Sequence, residues 1–514
     1  MNFAETAYLF RHALLRDAAY QLQLPGDRAR LHVLAFRVLE QASGGRAPEP
    51  AHLAGEGAAA FQPHQADSAA LELAGHARLA LGAPDVLPSA ELPDLRAALR
   101  LYLRRAAEHA ERQFRFELSC TCWRGLAEVF TGSEKGESLR RAAVATWSGG
   151  RLRSAEPLLG EALAVLREAG DRRLEGVALA SMANLYRETG RAALAERLYG
   201  EALVIHREVG DPGSEGTTLR NLGILYWESG NVVEAERIHG QALAVYREAG
   251  DRRAEGVAVG NIALLYQGTG RVEEAERSYE LALAIRREIG DRRLEGSALS
   301  NLAGLYQETG RHDRAEHLFE QAIAIAREVS DRRLEGVVLG NLAHLYQETG
   351  RSRQGEVTCL QALAIHREVG NRRSEGITLG NLASLFQDSG RAGEAEQLFE
   401  QALSINREVG NRGSEGVVLG NLAGLLKVTG RQEQAERLYT QALALHRAVG
   451  DRLMEGSHLC GYSRLLLERG RWVEARQAWL DGEAILREIR DTTELARQAA
   501  AMREAYAKAG VPFP

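Results

Sequence analysis

A unit of forty residues recurs along most of the chain without insertion or deletion, and no other feature constrains the fold as strongly. Glycine stands at every fortieth position from Gly150 through Gly190, Gly310 and Gly390 to Gly470. Five residues after each comes alanine, from Ala155 to Ala475, with Gly355 the one exception. A fixed period of this size marks stacked repeats, in which each unit buries its apolar face against its neighbours. Such a chain reaches 514 residues by growing in one dimension, not by enlarging one core.

Within the copy from Asp291 to Ser330, Leu299, Leu302, Ala303 and Tyr306 follow the i, i+3, i+4, i+7 spacing of one helical face. Gly310 supplies the left-handed residue that ends this helix. A second stripe, Ala315, Leu318, Phe319, Ala322 and Ile323, predicts a second helix. At the junctions a glycine (Gly250, Gly290, Gly370) precedes Asp or Asn (Asp251, Asp291, Asn371), a C′ residue followed by the next N-cap. Each unit is therefore two antiparallel helices, and the fold class is an all-α solenoid of helix pairs.

These residues resemble the tetratricopeptide repeat: Leu302, Ala303, Leu305, Tyr306, Gly310, Ala315, Phe319 and Ala322 fit its pattern, with a period of forty in place of thirty-four. The longer unit resembles the repeats of kinesin light chains and Pins-type adaptors, and those of large bacterial signal-transduction ATPase regulators. The resemblance implies a right-handed superhelix with a concave groove, and an expected division into four parts. These are an irregular helical region at 1–90, a degenerate helical pair at 91–130, nine repeats at 131–490, and a C-terminal capping helix at 491–514. The ends depart from the pattern: Thr146 replaces the tyrosine of the first unit and Gly482 an alanine of the last.

The first 130 residues lack the period. Helical stripes run over Leu9–Leu22 and Ala29–Ala42, a Gly/Ala/Pro-rich stretch covers Ser43–Pro63, and helices are expected near 68–82 and 95–130. The string from Tyr8 to Gln41 resembles the segment that follows the ATPase and winged-helix parts of the bacterial regulators. That resemblance implies a regulatory role beside an NTPase or kinase on a separate chain.

Hydrophobic and charged contents of 45% and 26% are ordinary for a folded protein. A net charge of −6 argues against general nucleic-acid affinity. Arginine dominates the cations, the lysines being Lys135, Lys427 and Lys508, a bias expected of a bacterial source. Charges in the first residues, where a signal peptide needs an apolar run, and the absence of any long apolar stretch point to a cytoplasmic protein without a membrane partner. Cys120 and Cys122 are too close for an ordinary disulfide, and Cys359 takes the place of Tyr279 or Phe319 as a small core residue.

Neither catalysis nor a cofactor finds a foothold. The segment Gly132–Ser138 lacks the spacing and lysine position of a phosphate loop. No H-E-x-x-H or G-x-S-x-G occurs, His312 and His317 are badly spaced for shared ligation, and no metal site is expected. His206, His366 and His446 share one register near helix ends and are expected to point outward. Arginine pairs such as Arg292–Arg293 and Arg332–Arg333 could form an anion-binding ridge, but neighbouring glutamates favour local ion pairs.

The partner-binding candidates are Asn221, Asn261, Asn301, Asn341, Asn381 and Asn421, one per unit in one register. The wheel puts Asn301 opposite the core stripe and Glu308 on its side. Asparagine costs roughly 0.5 kcal/mol on an exposed helix against Glu, Lys or Arg, yet its amide can meet both groups of a peptide backbone. In the long-repeat adaptors the matching asparagines grip peptide backbone. Three residues on, the positions diverge (Ile224, Leu264, Gly304, His344, Ser384, Gly424), as unit-specific pockets would. Arg220 and Trp227 add a cation and an aromatic ring near the first of them. The lysines that flank the asparagine in carboxylate-binding repeats are absent, so a protein or extended-peptide ligand is expected without a terminal carboxylate clamp. The alternative is a ladder of hydrogen bonds between helices. Gly260, Gly340, Gly380 and Gly420, just before the asparagines, are best explained by close helix packing.

Overall fold

The computed structural model describes residues 24–50, 52–53, 61–489, 492–511 and 513, and they fall into two compact units, 1–245 and 246–514. The expected stripe at Leu9–Leu22 lies outside the described residues. Among the described residues there are helices and turns but no strand, and no helix is long and apolar enough to cross a membrane.

The first unit carries α1 Pro25–Ala42, α2 Ala70–Leu81, α3 Leu92–Arg112 and α4 Phe116–Val129. Helix pairs follow: α5 Gly132–Ser148 with α6 Leu152–Glu168, α7 Arg172–Glu188 with α8 Ala192–Val209, and α9 Pro212–Glu228 with α10 Val232–Glu248. The segment from Gly132 is thus the first turn of a helix, with no strand before it. Phe36, Leu73, Tyr102 and Trp123 fill one core, which joins the region without the period to the first repeat through Ala142 and Ala145. Arg105, buried among these helices, pairs with Asp67 at 2.7 Å.

The second unit is a stack of pairs: α11 Arg252–Gly268 with α12 Val272–Glu288, α13 Arg292–Glu308 with α14 His312–Glu328, and α15 Arg332–Glu348 with α16 Ser352–Glu368. It continues with α17 Arg372–Asp388 and α18 Ala392–Glu408, α19 Arg412–Val428 and α20 Gln432–Val449, α21 Arg452–Glu468 and α22 Trp472–Glu488, and closes on α23 Thr492–Ala509. Met502 and Tyr506 of α23 cover Trp479 and Leu486, the apolar end of the last pair. The fold is the all-α solenoid of antiparallel helix pairs, with its capping helix.

Local chemistry sets the turns. Asp291 accepts a hydrogen bond from the Leu294 amide at 3.0 Å and so caps α13, and Asp331 does the same for Leu334 in α15 at 2.9 Å. Gly310 ends α13 at φ 72°, where a side chain would be strained. Ser330 ends α14 at φ 55°, where the sister repeats have Gly290 and Gly370, without that freedom.

The junction arginines resolve into ion pairs. Glu295, 5% exposed, accepts from Arg287 at 2.8 Å and Arg292 at 2.5 Å, and Arg292 reaches on to Glu328. Arg293 pairs with Asp331, and the pattern recurs around Glu335 and Glu375. A buried carboxylate between two guanidiniums ties each pair to the next, so these cations are spent inside the scaffold.

The histidines correct the sequence reading. His206, His366 and His446 do not point outward; they are 1%, 1% and 0% exposed. Each ring lies against a glycine of its own pair's first helix: a Cβ at Gly176, Gly336 or Gly416 would come within 2.8 Å of the ring's Cε1. The glycine of the E-G junction is therefore a slot. The sequence did hold the signal, because Cys359, Ala362 and His366 are spaced as a core stripe and the sister residues at that register include Ala326 and Leu486.

Candidate interaction face on the first helices

Each candidate asparagine lies in the middle of a first helix, on the side away from its core stripe. Asn261, Asn301, Asn341, Asn381 and Asn421 belong to the second unit, on α11, α13, α15, α17 and α19. Asn301 and Asn341 are exposed and the other three are half-buried. Asn221, Arg220 and Trp227 belong to the first unit, half-buried on α9. Arg220 stands close enough to His239 to help depress that imidazole's pKa, after burial, to about 4.

The amides do not bond to one another. Asn341 donates to Ser300 Oγ at 3.5 Å, and Asn421 Oδ1 lies 3.5 Å from His458 Nε2, both at the limit of a hydrogen bond. Asn261, Asn301 and Asn381 have no side-chain partner among the described residues. The residue before the asparagine faces the next first helix, and it is glycine on α11, α15, α17 and α19 and Ser300 on α13. A Cβ at Gly380 would sit 3.1 Å from Val418 Cγ2, and one at Gly420 only 2.1 Å from His458 Cε1. At Gly340 the nearest atom, Thr378 Oγ1, is 4.0 Å away. Close helix packing accounts for Gly380 and Gly420.

Four residues before the asparagines of the second unit come Val257, Val337, Ile377 and Val417, with Ser297 in that place on α13; Val337 and Ile377 are exposed and Val257 and Val417 half-buried. This apolar row escaped the sequence reading, although the i, i+4 spacing puts it on the asparagine face. Three residues after Asn341, His344 is exposed and its Nδ1 lies 2.7 Å from Gln307 Nε2. Seven residues after Asn301, Asn341 and Asn381 come Glu308, Glu348 and Asp388, the last residues of α13, α15 and α17, while α11 and α19 end in Gly268 and Val428. Amide and variable residue thus recur on each of these first helices, joined by an apolar residue on α11, α15, α17 and α19 and by an acidic tip on α13, α15 and α17.

The turn beside these tips is held rigidly. Tyr306 Oη donates to Glu276 at 2.9 Å, Arg311 pairs with the same carboxylate at 2.9 Å, and Arg311 stacks 4.2 Å over the Tyr306 ring. Burial, then the bond to Glu316, pushes the equivalent Tyr346 phenol up to about 12. Among the described residues no three His, Cys, Asp or Glu side chains are grouped to hold a metal.

Fold and face together define a helical-repeat scaffold of the protein-interaction class. Models of the tetratricopeptide repeat match residues 174–248, 255–328, 334–408, 418–453 and 456–480, more than half of the sequence. The chain belongs to the tetratricopeptide-repeat family. No curated protein matches it significantly. Among solved structures it is similar to BtubC (BKLC) from P. vanneervenii, at 23% identity and TM-score 0.38, covering 42% of this chain and 91% of that one. It is also similar to a Rap protein complexed with competence and sporulation factor, at 15% identity and TM-score 0.46, covering 71% and 99%. A kinesin light chain with nearly identical repeats from Podosopora anserina shares 22% identity at TM-score 0.31, covering 37% and 95%.

Proposed function

We propose that the asparagine face of the second unit is a groove that holds an extended peptide segment of a protein partner, and that the chain is a non-enzymatic adaptor. The observation that carries this reading is a set of amides left without side-chain partners (Asn261, Asn301 and Asn381) on the face where α11, α15, α17 and α19 carry Val257, Val337, Ile377 and Val417. Each amide offers a donor and an acceptor to a peptide backbone, and the variable residues three positions on choose side chains. Adjacent helices lie about 10 Å apart and an extended chain rises about 3.3 Å per residue, so a ligand advances roughly three residues per repeat. The reading goes with four parts, at 1–90, 91–130, 131–490 and 491–514. Asn221, Arg220 and Trp227 extend the same chemistry to the first unit.

The test is partner capture by the folded wild type and by Asn301→Ala/Asn341→Ala/Asn381→Ala. Loss of three backbone bonds at roughly 1 kcal/mol each weakens binding by about a hundredfold. Undiminished affinity of the folded variant for the same partner refutes the groove. A second reading, a regulatory piece acting on an NTPase of another chain, rests on the resemblance of residues 8–41, of which those before 24 lie outside the described residues. Stimulation of a captured ATPase by the chain would support it.

A further inference from the structure

The helix ends of the second unit carry carboxylates of two kinds. The second helices end in Glu328, Glu368 and Glu408, and each is paired with an arginine: Arg292, Arg332 (2.6 Å) and Arg372 (2.8 Å). Of the first helices, α13, α15 and α17 end in Glu308, Glu348 and Asp388, which no arginine or lysine reaches. By contrast, α11 and α19 end in Gly268 and Val428, and Glu468 of α21 pairs with Lys427 at 3.2 Å. Glu348 accepts from the neutral amide of Gln307 at 2.7 Å, with His344 3.7 Å away, and Asp388 accepts from Gln347 at 2.8 Å. Glu308 has no hydrogen-bond or ion-pair partner among the described residues. The nearby arginines are engaged elsewhere, Arg311 with Glu276, Arg351 with Glu316 and Arg391 with Glu356.

A carboxylate on the last residue of a helix faces the negative end of the macrodipole, so the position is electrostatically unfavourable unless a cation compensates. The scaffold supplies that cation at the second helices, and at Glu468 on α21, and withholds it at the ends of the three consecutive first helices α13, α15 and α17, on the face that bears the asparagines. We infer that the ligand supplies it: the groove takes an extended peptide with Lys or Arg recurring about every third residue, its apolar side chains directed to Val337, Ile377 and Val417. The spacing follows from three residues per repeat. This inference rests on the peptide-groove reading and adds the charge of the ligand.

Random peptides of about twelve residues, enough for four repeats, are displayed on phage and sorted against the full folded chain. The winners are measured by fluorescence anisotropy on the wild type, on Glu308→Gln/Glu348→Gln/Asp388→Asn, and on the asparagine triple variant. Winners enriched in Lys and Arg, bound about tenfold more weakly by the charge variant and again more weakly in high salt, are expected. Winners without basic enrichment, or indifferent to the charge variant, overturn the inference; if they still fail to bind the asparagine variant, the groove reading survives alone. A folded protein that retains no peptide overturns both.

Discussion

Gly340 and Gly420 occupy the same position in sister repeats, yet alanine should act oppositely at the two. Replacing a glycine inside a helix with alanine gains about 1 kcal/mol from backbone entropy and propensity. At Gly340 the new methyl meets only Thr378 Oγ1 at 4.0 Å, ordinary contact, so Gly340→Ala should stabilise by about 0.5 to 1 kcal/mol. At Gly420 it would fall 2.1 Å from His458 Cε1. That ring cannot swing aside freely: it is 6% exposed, its Nδ1 lies 2.9 Å from His446 Nε2, and Tyr439 packs edge-on against it. Overpacking costs about 1 to 3 kcal/mol, and breaking the His446–His458 bond leaves buried ring nitrogens unpaired at about 1 to 3 more. Less the helix gain, Gly420→Ala should destabilise by about 1 to 5 kcal/mol. The register supplies its own rescue, because the residue facing the slot is Thr378 or Val418 in sister repeats. His458→Val combined with Gly420→Ala should recover most of the loss, and urea midpoints of the two singles and the double give the coupling. A Gly420→Ala protein as stable as wild type, or a double no better than the single, would refute the slot.

Two further outcomes are expected. Ser330→Gly should raise stability by about 1 kcal/mol in the same urea assay, because Ser330 alone among these turns holds φ 55° with a side chain. His239 refuses its proton until about pH 4 when folded but takes it near 6.5 when unfolded, so its stabilisation is full above 6.5 and is lost as pH falls towards 4. The loss amounts to about 3 kcal/mol, and His239→Phe, the residue found at Phe319, should flatten the wild-type curve between pH 7 and 4; equal acid sensitivity in both proteins would count against it.

The sequence alone determined the helix pairs and their turns, since apolar spacing, an αL glycine and an Asp cap are local instructions that each unit carries complete. Asp291, Gly310 and Phe319 could be placed from one copy, and Cys359 from its register against Phe319. The rows of asparagine were legible as well, because a wheel separates two sides of an exposed helix. Only tertiary structure decided what a position near a helix end meets. His366 looked peripheral in one dimension, yet a glycine thirty residues earlier opens the slot that buries it. The same holds for charge. Glu328 and Glu348 read alike, each the last residue of its helix, and only packing brings Arg292 to the first while leaving the second to an amide. Local sequence fixes backbone conformation, but compensation of charge and filling of volume are set by atoms distant in the chain.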